Sequence, residues 1–139
     1  MELVVDANIL FSALLRRSTT RTLIFNNYLK LYAPKYLLAE LDQHLEFDSE
    51  IKEKLEQTKE ETKTVIGAML QSINIIQICE YAPFVNQALE LSPDEYDAPY
   101  FAAAIYLCVP LWSNDKRLKK QNTVKVFNTQ EILQLISKD

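Results

Sequence analysis

Five acidic residues stand at positions where a fold of alternating strands and helices would do chemistry. Asp6 ends the apolar run Leu3-Val4-Val5, and Asp115 follows Val109-Pro110-Leu111-Trp112 near the other end of the chain. Glu40 lies inside an apolar helical stretch, and Asp94 and Asp97 sit just before another. In a parallel sheet the strand ends open into one crevice, where ligands bind. Carboxylates gathered there repel one another unless a positive charge joins them. A divalent cation is the expected partner, because hard cations take oxygen ligands. Each acid also has a plainer reading. Asp6, Asp94 and Asp97 serve equally well as helix caps, Asp115 as a turn residue, and Glu40 as a boundary residue of its helix. His44, one turn beyond Glu40, reads as a packed or surface residue. The joint placement of the acids at element ends is what points to a site.

The elements that must position them can be read from apolar patterning. Leu3 to Val5 is a short buried strand, followed by an apolar helix over Ile9 to Leu15. After a break at Arg16 to Thr20 comes a second helix, from Thr20 to Asn27. Lys30 to Ala33 is the next strand. Pro34 suits the first turn of a helix that carries Leu37, Leu38, Leu41 and Leu45 at helical spacing. Asp48 to Ser72 is a long amphipathic helix or helix pair with Ile51, Leu55, Val65, Ile66, Met69 and Ile73 inward. Asn74 to Ile78 is a strand, and Ala82 to Leu91 a helix with Phe84, Val85, Ala88 and Leu89 inward. Ser92-Pro93-Asp94-Glu95 resembles a capping box, and a helix runs from Asp97 to Leu107. Leu111 to Ser113 and Val124 to Phe127 are the last strands, and Thr129 caps a final helix. Strands alternating with helices imply a parallel sheet with helices on both faces.

Composition narrows the function classes. At 139 residues with 48% hydrophobic content, the chain reads as a single domain over residues 1–139. The lone Gly67 leaves no glycine-rich phosphate loop and no dinucleotide fingerprint. No apolar run approaches the roughly 20 residues of a membrane span, and the N-terminus lacks the features of a signal peptide. A cytoplasmic location is expected. Cys79 and Cys108 are isolated and read as buried free thiols. The net charge of −4 argues against a passive nucleic-acid coat. It does not argue against an enzyme whose metal ions reverse the local sign. Basic residues cluster at Arg16, Arg17 and Arg21, and again at Lys116, Arg117, Lys119 and Lys120.

Four stretches in order resemble the motifs of the PIN-domain family, compact metal-dependent ribonucleases. They are Val4-Val5-Asp6-Ala7-Asn8-Ile9-Leu10, Tyr32-Ala33-Pro34-Lys35-Tyr36-Leu37-Leu38-Ala39-Glu40-Leu41, Asp94-Glu95-Tyr96-Asp97, and Trp112-Ser113-Asn114-Asp115-Lys116. The resemblance spans nearly the whole chain. It implies a three-layer α/β/α sandwich around a parallel sheet of four or five strands. It further implies hydrolysis of RNA phosphodiesters with Mg²⁺ or Mn²⁺ held by Asp6, Glu40, Asp97 and Asp115. Asp97 and Asp94 compete for the third acidic position; the helix register favours Asp97, and Asp94 is kept as an additional metal contributor. Asn8 and Ser113 are expected to orient the carboxylates by hydrogen bonds, and Lys116 and Arg117 to hold RNA phosphates. Many family members are toxins paired with a small antitoxin, and many form homodimers, so both partners are implied here.

Readings from other classes stay open at this level. A phospho-acceptor signalling domain uses an acidic pocket on a similar sheet, but wants paired acids after its first strand, where this chain has one. A haloacid-type phosphatase wants Asp where Asn8 stands. A non-catalytic module that binds RNA or a protein partner is the third reading.

Overall fold

The computed structural model describes residues 1–15, 19–47, 53 and 59–137. Among them five strands form one parallel sheet: β1 (Glu2–Val5), β2 (Lys30–Pro34), β3 (Ile73–Ile76), β4 (Leu111–Trp112) and β5 (Val126–Phe127), in the order β3-β2-β1-β4-β5. Leu3, Val4 and Val5 are fully buried, as expected of a central strand covered on both faces. The chain builds outward from β1 to β3, then crosses back to lay β4 on the other side of β1. That reversal makes the gap between the ends of β1 and β4 the place where an open α/β sheet presents its crevice.

The helices are α1 (Ala7–Leu15), α2 (Thr19–Ile24), α3 (Tyr36–Phe47), α4 (Lys59–Gln71), α5 (Ile78–Tyr81), α6 (Val85–Leu91), α7 (Ala98–Leu107) and α8 (Thr129–Ser137). Helix α7 packs against β1, β2 and β4. Its Ala102, Ala103 and Ala104 are buried, and small side chains there let the helix approach the sheet closely. Helix α4 packs on α1 and β3. The result is the three-layer α/β/α sandwich that the alternating pattern predicts. No helix among the described residues is long and apolar enough to cross a membrane.

Several local expectations are corrected. Pro34 ends β2 rather than opening α3; its missing N–H is tolerated at a strand end. Leu89 is exposed, while Ala88 of the same helix is buried. Cys79 and Cys108 are both exposed. Cys108 follows the last turn of α7 in the left-handed region, at φ 57°, a position that usually falls to Gly in a chain that has one. Arg21 donates to the carbonyls of Ala13 and Leu14 at 2.8 and 3.3 Å, so it closes the end of α1. Arg16 and Arg17, and Ile51 and Leu55 of the long amphipathic stretch, lie outside the described residues.

The cap of α8 is Asn128, not Thr129. The N–H of Glu131 donates to Asn128 Oδ1 at 2.8 Å, and the N–H of Asn128 donates back to Glu131 Oε1 at 3.0 Å. This reciprocal pair satisfies two otherwise orphaned donors. Asn128→Ala is expected to cost about 1 kcal/mol, read as a lower urea midpoint. An unchanged midpoint would show that the pair contributes nothing.

Candidate active site

The register of the sheet sets the site. Val5 lies opposite Trp112, and the Asp6 N–H donates to the Trp112 carbonyl at 3.0 Å while the Ser113 N–H donates to Phe127 at 3.0 Å. Asp6 and Ser113 are thereby brought to the same level at adjacent strand ends. The Ser113 hydroxyl donates to Asp6 Oδ2 at 2.8 Å, and both residues are buried, at 5% and 1% exposure. The same hydroxyl oxygen accepts the Asp115 N–H at 3.1 Å. One side chain thus holds the first acid and the backbone of the last. Asn8 contributes through its backbone N–H, which with that of Ala7 donates to the Asp6 carboxylate; its side chain is exposed.

Glu40 projects from α3, whose Leu37 and Leu41 are buried beside it in sequence. The phenol of Tyr100 donates to Glu40 Oε1 at 2.6 Å, and the Tyr36 ring meets Tyr100 edge-on at 6.4 Å. Asp97 is the residue from which α7 springs, but its side chain makes no capping hydrogen bond. Among the described residues, Asp97 Oδ2 is a buried side-chain oxygen with no hydrogen-bond partner. Asp94 is exposed and spends Oδ1 on the N–H of Tyr96 at 3.0 Å, capping the 3-10 turn Glu95–Asp97. His44 stacks on Phe11 with ring centroids 4.2 Å apart, in keeping with a packed residue.

Asp115 caps the 3-10 helix Lys116–Lys120 and is forked by the Arg117 guanidinium, with Nη2 to Oδ2 at 2.8 Å. Beside it opens a cleft of about 630 Å³ lined in part by Ser113, Asp115, Lys116, Asn128 and Gln130. Lys119 forms an ion pair with Glu131.

The sequence matches the PIN-domain family over residues 4–137. The chain belongs to the PIN-domain family. Two solved structures share this PIN fold. VapBC2 from Rickettsia felis, bound to a DNA fragment from their promoter, is 18% identical with a TM-score of 0.65, covering 92% of this chain and 98% of that one. FitAcB from Neisseria gonorrhoeae is 17% identical with a TM-score of 0.64, covering 92% and 97%. None of the curated proteins compared with the chain matches it.

The acids of this PIN domain feel one another. Burial is the main cause that pushes Glu40 up to about 6; the charges of Asp6 and Asp97 add to it, and the Tyr100 hydrogen bond opposes it. Burial likewise pushes Asp97 up to about 6, helped by Asp6, Asp115 and Asp94 and opposed by Arg117. Asp6 is also raised, chiefly by burial. Asp115 alone of the four is lowered, by the hydrogen bonds of Arg117. The four therefore share one electrostatic neighbourhood. They do not close into a cage: among the described residues no three acids, histidines or cysteines are arranged to hold a metal directly. An oxygen-only donor set, with an unpartnered buried oxygen at Asp97, still suits a hard cation that keeps several of its own waters.

Two groups of site residues escape sequence reasoning. Tyr100 lies three residues after Asp97 on α7, and that helical spacing was its available signal. The second group is a chain of hydrogen bonds: Trp112 Nε1 donates to Thr129 Oγ1 at 3.1 Å, and Asn114 Oδ1 accepts from both the N–H and the hydroxyl of Thr129 at 2.9 and 3.1 Å. It fixes the loop that carries Asp115, and nothing in local spacing announces it.

Asp97 is harder to ionise in the folded chain than in the unfolded one. Its protonated form therefore favours folding, and that contribution is lost as pH rises from its ordinary 3.8 through about 6. In metal-free protein, Asp97→Asn is expected to raise the melting temperature relative to the parent, with a gap that opens between pH 4 and 6 and stays constant above. A gap of the opposite sign, or one independent of pH, would contradict this electrostatic picture.

Proposed function

We propose that the chain is a divalent-metal-dependent endoribonuclease, with Asp6, Glu40, Asp97 and Asp115 as its catalytic acids and Mg²⁺ or Mn²⁺ as cofactor. Membership of the PIN-domain family supports the reaction class. The observation that carries the assignment is the buried, unpartnered oxygen of Asp97 in the charge field of Asp6 and Asp115. An unsatisfied buried carboxylate oxygen is costly and is accounted for by a cation that the site is built to take. Asp94 contributes at the rim. A phospho-acceptor domain would want paired acids after the first strand, and a haloacid-type phosphatase an Asp where Asn8 stands.

When bound, a divalent cation would lower the pKa of a coordinated water and offset the charge of the phosphodiester. The protein's own residues do the rest. Ser113 and the Ala7 and Asn8 N–H groups fix Asp6, and Tyr100 fixes Glu40. Lys116 lines the cleft beside Asp115, where an RNA strand leaving the acids would present its phosphates. Arg117 offers the second cationic contact.

We infer further that the chain is a toxin held by a small antitoxin, a reading favoured by its likeness to VapBC2, and that residues 1–139 act as one PIN domain in the cytoplasm and pair with a second copy.

Asp6→Asn is expected to abolish Mn²⁺-dependent cleavage of RNA, by at least a hundredfold on a gel, while circular dichroism stays native; retained cleavage would remove Asp6 from the site. EDTA is expected to stop the parent, and cleavage that persists in EDTA would refute the metal-dependent reading. Millimolar Mn²⁺ is expected to raise the parent's melting temperature by relieving carboxylate repulsion. Indifference to the metal would count against the site.

A further inference from the structure

Both oxygens of Asp115 are occupied. Oδ1 accepts the backbone N–H of Arg117 at 3.0 Å and its Nε at 3.1 Å, and Oδ2 accepts Nε at 3.2 Å and Nη2 at 2.8 Å. The acid assigned to the cation site is therefore held by a cation of its own chain, two residues on. The fork lies at the rim, with Arg117 at 56% exposure and Asp115 at 21%. Arg117 also feels the charges of Asp97 and Asp94, so the guanidinium lies within the field of three of the acids.

A guanidinium does not lose its charge in the range where proteins fold. Deprotonation of Arg117 cannot release Asp115; a divalent cation must compete with the guanidinium for the carboxylate, and an oxyanion can draw the guanidinium off it. A phosphate offers the fork the same bidentate geometry as a carboxylate. The contacts also divide in a useful way. If the side chain swings off, Oδ2 is freed while Oδ1 keeps the Arg117 N–H, so the cap of the 3-10 helix Lys116–Lys120 survives.

We propose that Arg117 is a positioning residue that occupies Asp115 until a nucleic-acid phosphate draws its guanidinium away, so that substrate anion and divalent cation bind cooperatively. The inference rests on the metal-dependent reading above. Coupling of this kind is reciprocal: whatever the anion adds to metal affinity, the metal adds to anion affinity. The chain would then load metal fully only when RNA is in place.

The test is Mn²⁺ binding by the full chain, followed through the paramagnetic resonance of free Mn²⁺. It is run with and without a nucleoside 5′-monophosphate, whose own Mn²⁺ binding is subtracted from a protein-free titration. Without nucleotide, Arg117→Gln is expected to bind Mn²⁺ about two- to fivefold more tightly than the parent, the range for an exposed ion pair. Nucleotide is expected to tighten metal binding in the parent and to have no such effect in Arg117→Gln. Arg117→Lys, which keeps the charge without the fork, falls between. Equal Mn²⁺ affinity in parent and Arg117→Gln overturns the role of Arg117 and leaves the nuclease reading standing. The same holds for a variant that melts lower but keeps the nucleotide effect, since Arg117 then only braces the turn. If neither protein binds Mn²⁺ even with nucleotide, the metal-dependent reading falls with the proposal.

Discussion

The hydrogen bond from Ser113 to Asp6 joins residues 107 positions apart, and the rest of the site is arranged around it. It forms because β1 and β4 are parallel neighbours in register, and they are neighbours because the chain reverses direction across the sheet after β3. A slip of one residue in that pairing would turn Ser113 away from Asp6. The same slip would move Asp115 with it, since the Ser113 oxygen also accepts the Asp115 N–H. The Ser113 hydroxyl both donates and accepts, and it is one of few buried polar side chains in the described structure.

Holding several carboxylates this way costs stability. Burial alone makes Asp6, Glu40 and Asp97 harder to ionise, and their mutual charge adds to the cost. The protein offsets it with fixed donors where it can: Ser113 and two N–H groups at Asp6, Tyr100 at Glu40, Arg117 at Asp115. Asp97 has the least support, since Oδ2 has no partner. Strain of this kind concentrates where function needs it. The apolar frame that tolerates it is extensive, with Trp112, Phe101, Leu3 and Leu10 fully buried in one core.

Much of this was legible before folding, and the reasons are physical. Buried parallel strands are uninterrupted apolar runs, so Leu3 to Val5 and Leu111-Trp112 declare themselves. An acid that stops such a run lands at the crevice, which is why Asp6 and Asp115 could be placed. Glu40 and Asp97 could be placed because one sits on an amphipathic helix and the other begins an alanine-rich one. What the pattern could not carry was the identity of partners across long loops. Tyr100 on Glu40 and Thr129 on Asn114 depend on helix rotation and loop course, which periodicity does not encode. Both Asn128 and Thr129 have capping side chains, so the sequence alone does not separate the true cap, Asn128, from its neighbour. The exposed thiols run against the usual packing of cysteine as a small apolar group. Cys108 instead occupies a helix-terminating position that turns the chain back toward the sheet.

The single tryptophan of the chain is fully buried, and its indole N–H rests on Thr129, which is tied to Asn114 next to Asp115. Its ultraviolet emission is therefore an intrinsic optical probe of the strand end that bears the last acid. The wavelength and yield of that emission respond to the polarity and hydrogen bonding of one indole, so spectral changes on adding metal or oligonucleotide can be followed there without an attached dye.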